Sequence, residues 1–168
     1  MHELARYVLD VPDFPKAGIL FRDISLLLRE HFAEVVSALD AALSDAEWAT
    51  IDAVAGIESR GFILAAALAN GRKKGFVPVR KQGKLPPPVV DQAYDLEYGT
   101  GILEMQRGAG RLLLVDDVLA TGGTLNAAAA LCGRAGYEVS ALAVLIDLVL
   151  VPDYSWQNLP LRSVIRYG

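Results

Sequence analysis

The chain has 168 residues, 53% hydrophobic and 21% charged, a soluble globular composition with room for one domain at ~100–200 residues per domain. A net charge of −4 and a pI near 5.1 argue against nucleic acid as the main partner, since such binding needs an electropositive footprint. Cys132 is the single cysteine, which excludes an internal disulfide framework or a cysteine-built zinc site and suits a reducing compartment. Met1 to Asp10 carries Glu3, Arg6 and Asp10 and lacks the apolar core of a signal peptide. Periodicity predicts a helix over Phe32 to Leu43, a strand over Ile51 to Ala55, a helix over Phe62 to Ala69 and a strand over Phe76 to Arg80. After a break, it predicts a strand over Leu112 to Val115, a helix over Thr124 to Ala135, and strands over Val139 to Ile146 and Ser163 to Tyr167. Most of the strands are continuous apolar runs, as expected of strands buried on both faces. The apolar stretch Val139 to Val151 is too short to span a membrane and is cut by Asp147. The expectation is a soluble, intracellular, single α/β domain over residues 1–168, with a mainly parallel twisted sheet flanked by helices. Such sheets bind ligands beyond the C-terminal ends of their strands.

Charge is unevenly distributed. Between Ser59 and Val90 there is no acidic residue, yet Arg60, Arg72, Lys73, Lys74, Arg80, Lys81 and Lys84 lie there, seven of the sixteen Lys and Arg. This run is either a solvated face or a site for a small, highly charged anion. The segment Gly83 to Gly110, with Pro86, Pro87 and Pro88 and then Tyr94 to Gly99, shows little helical or strand period. A connection of that length is usually functional. We expect a mobile flap in the form of a loose hairpin, with an ordered Pro-rich surface loop as the alternative.

The most specific stretch is LLLVDDVLATGGTLNAAAALCGRA, Leu112 to Ala135. The strand is expected to end at Asp116 and Asp117, and Ala120, Thr121, Gly122, Gly123 and Thr124 form a tight loop opening into an alanine-rich helix. Two glycines allow backbone to approach a ligand closely, successive N–H groups can point inward, and a helix N-terminus carries about half a positive charge. A phosphate monoester fits there. The aspartates stand where a sugar attached to it would lie, and carboxylates accept from vicinal hydroxyls. No GxxxxGK[ST] or GxGxxG pattern is present, so nucleoside triphosphates and NAD are disfavoured. A ribose 5-phosphate is the indicated ligand.

VDDVLATGGT resembles the phosphoribosyl-pyrophosphate (PRPP) signature of type I phosphoribosyltransferases. PDFPKAGILFRDIS, AGIESRGF, GFVPVRKQGKLP and YDLEYGTGILEMQ narrow the resemblance to the adenine phosphoribosyltransferases, over about residues 10–147. The resemblance implies that family's fold, with an N-terminal base-binding hood at about residues 10–25, a long flexible flap at about 80–106 and a PRPP-binding strand–loop–helix at 112–135. It implies purine salvage: N9 of adenine displaces pyrophosphate from C1′ of PRPP through a transition state with oxocarbenium character, giving AMP. Ala120 to Thr124 would hold the 5-phosphate, and Asp116 and Asp117 the ribose hydroxyls and the developing positive charge. Glu58, Ser59 and Arg60 match the pyrophosphate loop, and Arg80, Lys81 and Lys84 further cationic positions around it. Leu20, Phe21 and Arg22 match the adenine hood. Glu97 matches the acid/base of the flap, and Tyr94 and Tyr98 would help it close. Also implied are Mg2+ held mostly by substrate oxygens and water, a homodimer and a cytoplasmic location.

His2, His31, Trp48, Trp156 and Cys132 are read as packing or surface residues, Lys73 and Lys74 as solvated, and Glu104 as one partner of a structural salt link. After Asp147 the run LVLVPDYSWQNLP departs from the family, in a region expected to touch no site residue. A PRPP-sensing regulator, the alternative of another class, would need a nucleic-acid-binding element, and none is visible. A phosphoribosyltransferase for hypoxanthine, guanine or orotate is the other alternative.

Overall fold

A computed structural model describes residues 2–96 and 99–167. A 3₁₀ turn (Glu3–Tyr7), capped by His2 through its side chain, leads into a two-stranded antiparallel hairpin of β1 (Leu9–Pro12) and β2 (Leu20–Asp23). Three helices follow: α1 (Ser25–Glu30), α2 (Phe32–Ala41) and α3 (Asp45–Thr50). The alternating part comprises β3 (Ala53–Ile57), α4 (Arg60–Gly71), β4 (Gly75–Lys81), β5 (Val90–Leu96), β6 (Gly99–Met105), β7 (Gly110–Leu119), α5 (Gly123–Ala135), β8 (Tyr137–Asp147), β9 (Ser155–Trp156) and β10 (Leu159–Arg166). The predicted helices and strands of the α/β pattern are all present, with shifted ends.

The main sheet has the order β5-β6-β4-β3-β7-β8-β10-β9. β4, β3, β7, β8 and β10 run parallel, and the β5–β6 pair and β9 add antiparallel edges. The middles of β3, β7 and β8 are continuous apolar runs because both faces are covered there. Leu113 and Val115 of β7 point into a core shared with α2 and α4, while Leu112 and Leu114 point into one shared with α5. Among the described residues no helix is long and apolar enough to cross a membrane.

Chain order reverses between β3 and β7: from β3 the chain passes through α4 to β4 on one side, whereas β7 starts the succession towards β8 on the other. A crevice at such a switch point is where open α/β sheets bind ligands.

One expectation changes. β7 continues through Asp116 and Asp117 to Leu119, because Val118 and Leu119 still pair with Ile146 and Asp147 of β8. The segment Gly83 to Gly110, expected to hold a loose hairpin, contains a regular one, with Val90–Leu96 in continuous register against Gly99–Met105 and Arg80 paired with Glu104. Its outer strand, VDQAYDL, is largely solvated and carries no continuous apolar run, so strand periodicity signals it weakly.

Candidate active site

The ends of β3 and β7 and the starts of α4 and α5 meet at this switch point. Gly61, in the first turn of α4, permits the approach: a Cβ there would come within 3.0 Å of Asp116 Oδ1 and 3.1 Å of the Val115 carbonyl. Both helices open without an N-cap side-chain hydrogen bond and without an acidic residue in the first turn, so their positive ends face the crevice unneutralised. Gly122 starts α5 at φ 84, a left-handed conformation that suits glycine. The loop with Asp116 lines a cavity of about 150 Å³ formed by Val118, Leu119 and residues 120–125.

The two aspartates have different surroundings. Asp116 is buried and accepts the Asp117 N–H at 2.9 Å. Burial, followed by the neighbouring Asp117 charge, pushes its carboxyl well above the aspartate range. Asp117 Oδ2 lies 2.6 Å from Arg60 Nη2, an ion pair whose geometry leaves that buried oxygen without an aligned hydrogen-bond donor. Arg60 also donates to the Arg22 carbonyl at 3.3 Å and lies 4.7 Å from the Phe21 ring centroid. One guanidinium thereby ties the β1–β2 hairpin to the aspartate pair. Phe14 packs edge-on against Phe21 at 5.1 Å. Arg22 is held by Asp10 and lies 4.2 Å from the Tyr167 ring centroid.

Next to this, the Glu58 carboxylate accepts the Lys81 N–H at 2.9 Å and Arg80 Nε at 3.3 Å. Burial raises its pKa, but the Lys81 amide and the Arg80 guanidinium outweigh that and hold it below the usual value. Arg80 Nη1 donates to the Lys84 carbonyl at 3.1 Å. Glu104, 3% exposed, accepts the successive N–H groups of Gly83, Lys84 and Leu85 at 3.0, 2.7 and 2.6 Å. The expected salt link is thus a backbone clamp that shapes the loop bearing Lys84. Tyr94 shares a hydrogen bond with Thr124, and burial raises its pKa.

Residues 26–149 match the phosphoribosyl transferase domain model. The adenine phosphoribosyltransferase of Hydrogenovibrio crunogenus is 52% identical over 99% of this chain and 97% of its own length. The chain belongs to the adenine phosphoribosyltransferase family. Among solved structures, the family member from Rhodothermus marinus superposes with a TM-score of 0.86 at 42% identity, covering 97% of this chain and 96% of its own. That from Saccharomyces cerevisiae, complexed with adenine and an imino-altritol bisphosphate, superposes with a TM-score of 0.88 at 33% identity, covering 96% of each.

Set on this adenine phosphoribosyltransferase fold, the residues singled out in the sequence divide into groups. Arg60 joins Phe21 and Arg22 of the hairpin to Asp117, and the loop Ala120 to Thr124 lines a cavity with Asp116. Glu58, Ser59, Arg80, Lys81 and Lys84 lie at the adjoining ends of β3 and β4. Glu58 offers no free carboxylate, since its oxygens face Arg80 and Lys81. Glu97 and Tyr98 lie outside the described residues. Arg72 and Lys74 stand apart from the crevice: Arg72 pairs with Asp40 and Asp45, and Lys74 Nζ donates to the Ile51 carbonyl instead of being solvated. The segment after Asp147, expected to touch no site residue, brings Tyr154 against Gly122 and Asn126. No signal near Tyr154 in the sequence announces that long-range contact.

Proposed function

We propose that the chain transfers the 5-phosphoribosyl group of PRPP to N9 of adenine, releasing pyrophosphate and leaving AMP. The observation that carries this reading is Arg60, bonded at once to Asp117, to the Arg22 carbonyl and to the Phe21 face. It lies where a base, a ribose and a leaving group would converge. The uncapped start of α5 and the hydroxyls of Thr121 and Thr124 receive the 5-phosphate. Asp116 and Asp117 accept the ribose hydroxyls, and the negative charge of Asp117 stabilises the cation that develops at C1′. Ser59 and Arg60, with Arg80, Lys81 and Lys84, receive the pyrophosphate, with Glu58 holding Arg80 in place. Phe21 packs on adenine, whose edge is read by main-chain groups of Leu20 and Arg22. Glu97 serves as the acid/base on the purine, and Tyr94 and Tyr98 close the flap against water.

Magnesium suits this donor set. Among the described residues no three His, Cys, Asp or Glu gather as a metal cage. The buried Asp117 Oδ2 lacks an aligned donor, and Mg2+ keeps most of its water beside one or two carboxylates and substrate phosphates. Asp116 and Asp117 would hold it through its water and the substrate; when bound it neutralises charge on the pyrophosphate. The reading includes a homodimer, which the family resemblance implies, and a cytoplasmic location, which suits the single free thiol of Cys132.

The test is to supply protein, Mg2+ and PRPP with adenine, hypoxanthine, guanine or orotate in parallel. AMP and pyrophosphate formed with adenine alone is the expected result. Preference for a 6-oxopurine would overturn the base assignment, and no turnover with any base would overturn the enzyme reading.

A further inference from the structure

We infer that Tyr154 is a positioning residue for the phosphate loop, holding from behind the groups that take the 5-phosphate; this rests on the reading of Ala120 to Thr124 given above. Tyr154 lies between β8 and β9. Its ring packs so closely on Gly122 that a Cβ there would come within 2.9 Å of Tyr154 Cε2. Its hydroxyl donates to Asn126 Oδ1 at 2.7 Å, and the Asn126 N–H returns to the Gly122 carbonyl at 2.9 Å.

Gly122, Asn126 and Tyr154 thus form a closed circuit around the first turn of α5. The backing is itself fixed at both ends. The Leu161 N–H donates to the Tyr154 carbonyl at 3.3 Å, and the Leu148 N–H donates to the Leu119 carbonyl at 3.0 Å, joining the segment to the end of β7. The phenol is half-buried against the core shared with α5. The N–H groups of residues 122–125 serve an anion only if their directions are fixed before it arrives, because preorganised donors need no rearrangement on binding. With its left-handed glycine, this loop has no side chain of its own at position 122 to supply that rigidity, and the Tyr154 ring occupies the space such a side chain would take.

The experiment measures ribose 5-phosphate binding by calorimetry and the KM values for PRPP and adenine, using the full chain. Tyr154→Leu removes ring and hydroxyl but keeps an apolar side chain. It should weaken ribose 5-phosphate binding and raise the PRPP KM by about tenfold, with the adenine KM within about twofold of wild type. Tyr154→Phe, which retains the ring, should recover most of the loss. If Tyr154→Leu does not fold, Asn126→Ala carries the same test, with a loss of about threefold. Folded variants that bind ribose 5-phosphate as wild type does, while Thr121→Val binds it weakly, would overturn the inference alone. Wild-type protein that binds no ribose 5-phosphate, or binding indifferent to Thr121→Val, would overturn the phosphate-loop reading and the inference with it.

Discussion

Asp116 and Asp117 are adjacent and chemically identical, yet the fold gives them different tasks. Asp117 keeps a cation within reach in Arg60; Asp116 is enclosed by β3 and the first turn of α4, where ionisation is penalised by burial and by its neighbour's charge. Its folded pKa is raised above the ordinary aspartate value of 3.8. The stabilisation from the neutral form is therefore complete below 3.8 and is lost as pH rises through the folded value. Asp116→Asn keeps an acceptor for the Asp117 N–H but cannot ionise. It should melt above wild type by a margin that is larger at pH 8 than at pH 5, while turnover falls by about a hundredfold. Equal margins at the two pH values would show that Asp116 is not held neutral in the fold. Stability spent on an awkwardly placed carboxylate is a common signature of a functional site.

Among the helices, α3 alone of α1 to α5 has a side-chain N-cap hydrogen bond. α4 and α5, which open on the crevice, have no side-chain cap, whereas α3, remote from it, carries a full capping box: Ser44 Oγ accepts the Glu47 N–H and Glu47 accepts the Ser44 N–H. Glu47 also accepts from Arg162 of β10 at 2.7 Å, fastening α3 and its buried Trp48 to the sheet. The Ser44 amide and hydroxyl, with Arg162, bring the Glu47 pKa down from 4.5 to about 2. Its contribution is present above 4.5 and lost as pH falls towards 2. Ser44→Ala should cost about 1 kcal/mol, or ~2–4 °C in Tm, at pH 7, and less at pH 3, where protonation begins to weaken the box in wild type. Melting curves at both values check this; a cost that does not shrink in acid would show that the box is not the stabilising element. The pattern Ser-Asp-Ala-Glu was present in the sequence as a helix-start signal, but α3 was not among the predicted elements. The strands of the parallel core were legible from their apolar runs, and the phosphate loop from its glycines and hydroxyls. Hairpin β5–β6 was legible only in outline, because its outer strand is largely solvated and carries no continuous apolar run, and Tyr154 was not, because nothing local distinguishes a tyrosine that reaches across to Gly122.

At the scale of the molecule, the acid-free stretch from Ser59 to Val90 looked like one cationic patch along the chain, and the fold divides it. α4 has 12 residues, about 18 Å at 1.5 Å per residue, and as the crossover between parallel β3 and β4 it carries its two ends to opposite ends of the strands. Arg60 stays at the crevice with Arg80, Lys81 and Lys84. Arg72, at the far end, is neutralised by Asp40 at 2.7 Å and Asp45 at 2.9 Å and lies 5.0 Å from the Trp48 ring centroid. Its role there is to fasten α4 to α2 and α3. Asp40 and Asp45 thus compensate Arg72, whereas the crevice end has Lys81 and Lys84 beside Arg60 and Arg80, which pair with Asp117 and Glu58. Two substitutions of the same chemistry should therefore have opposite signatures. Arg72→Ala should lower stability by about 1–2 kcal/mol, through the lost charge-assisted bonds and ring contact, with an unchanged PRPP KM. Arg80→Ala should raise that KM by about tenfold and steepen no loss of stability beyond ~1 kcal/mol, since its partner Glu58 retains the Lys81 amide. Thermal melts beside PRPP titrations of both variants decide it. A rise in KM on removing Arg72 would restore a single cationic field acting at a distance, and the difference from wild type should then shrink as salt is added, because a field of that range is largely screened beyond a Debye length of ~8–10 Å.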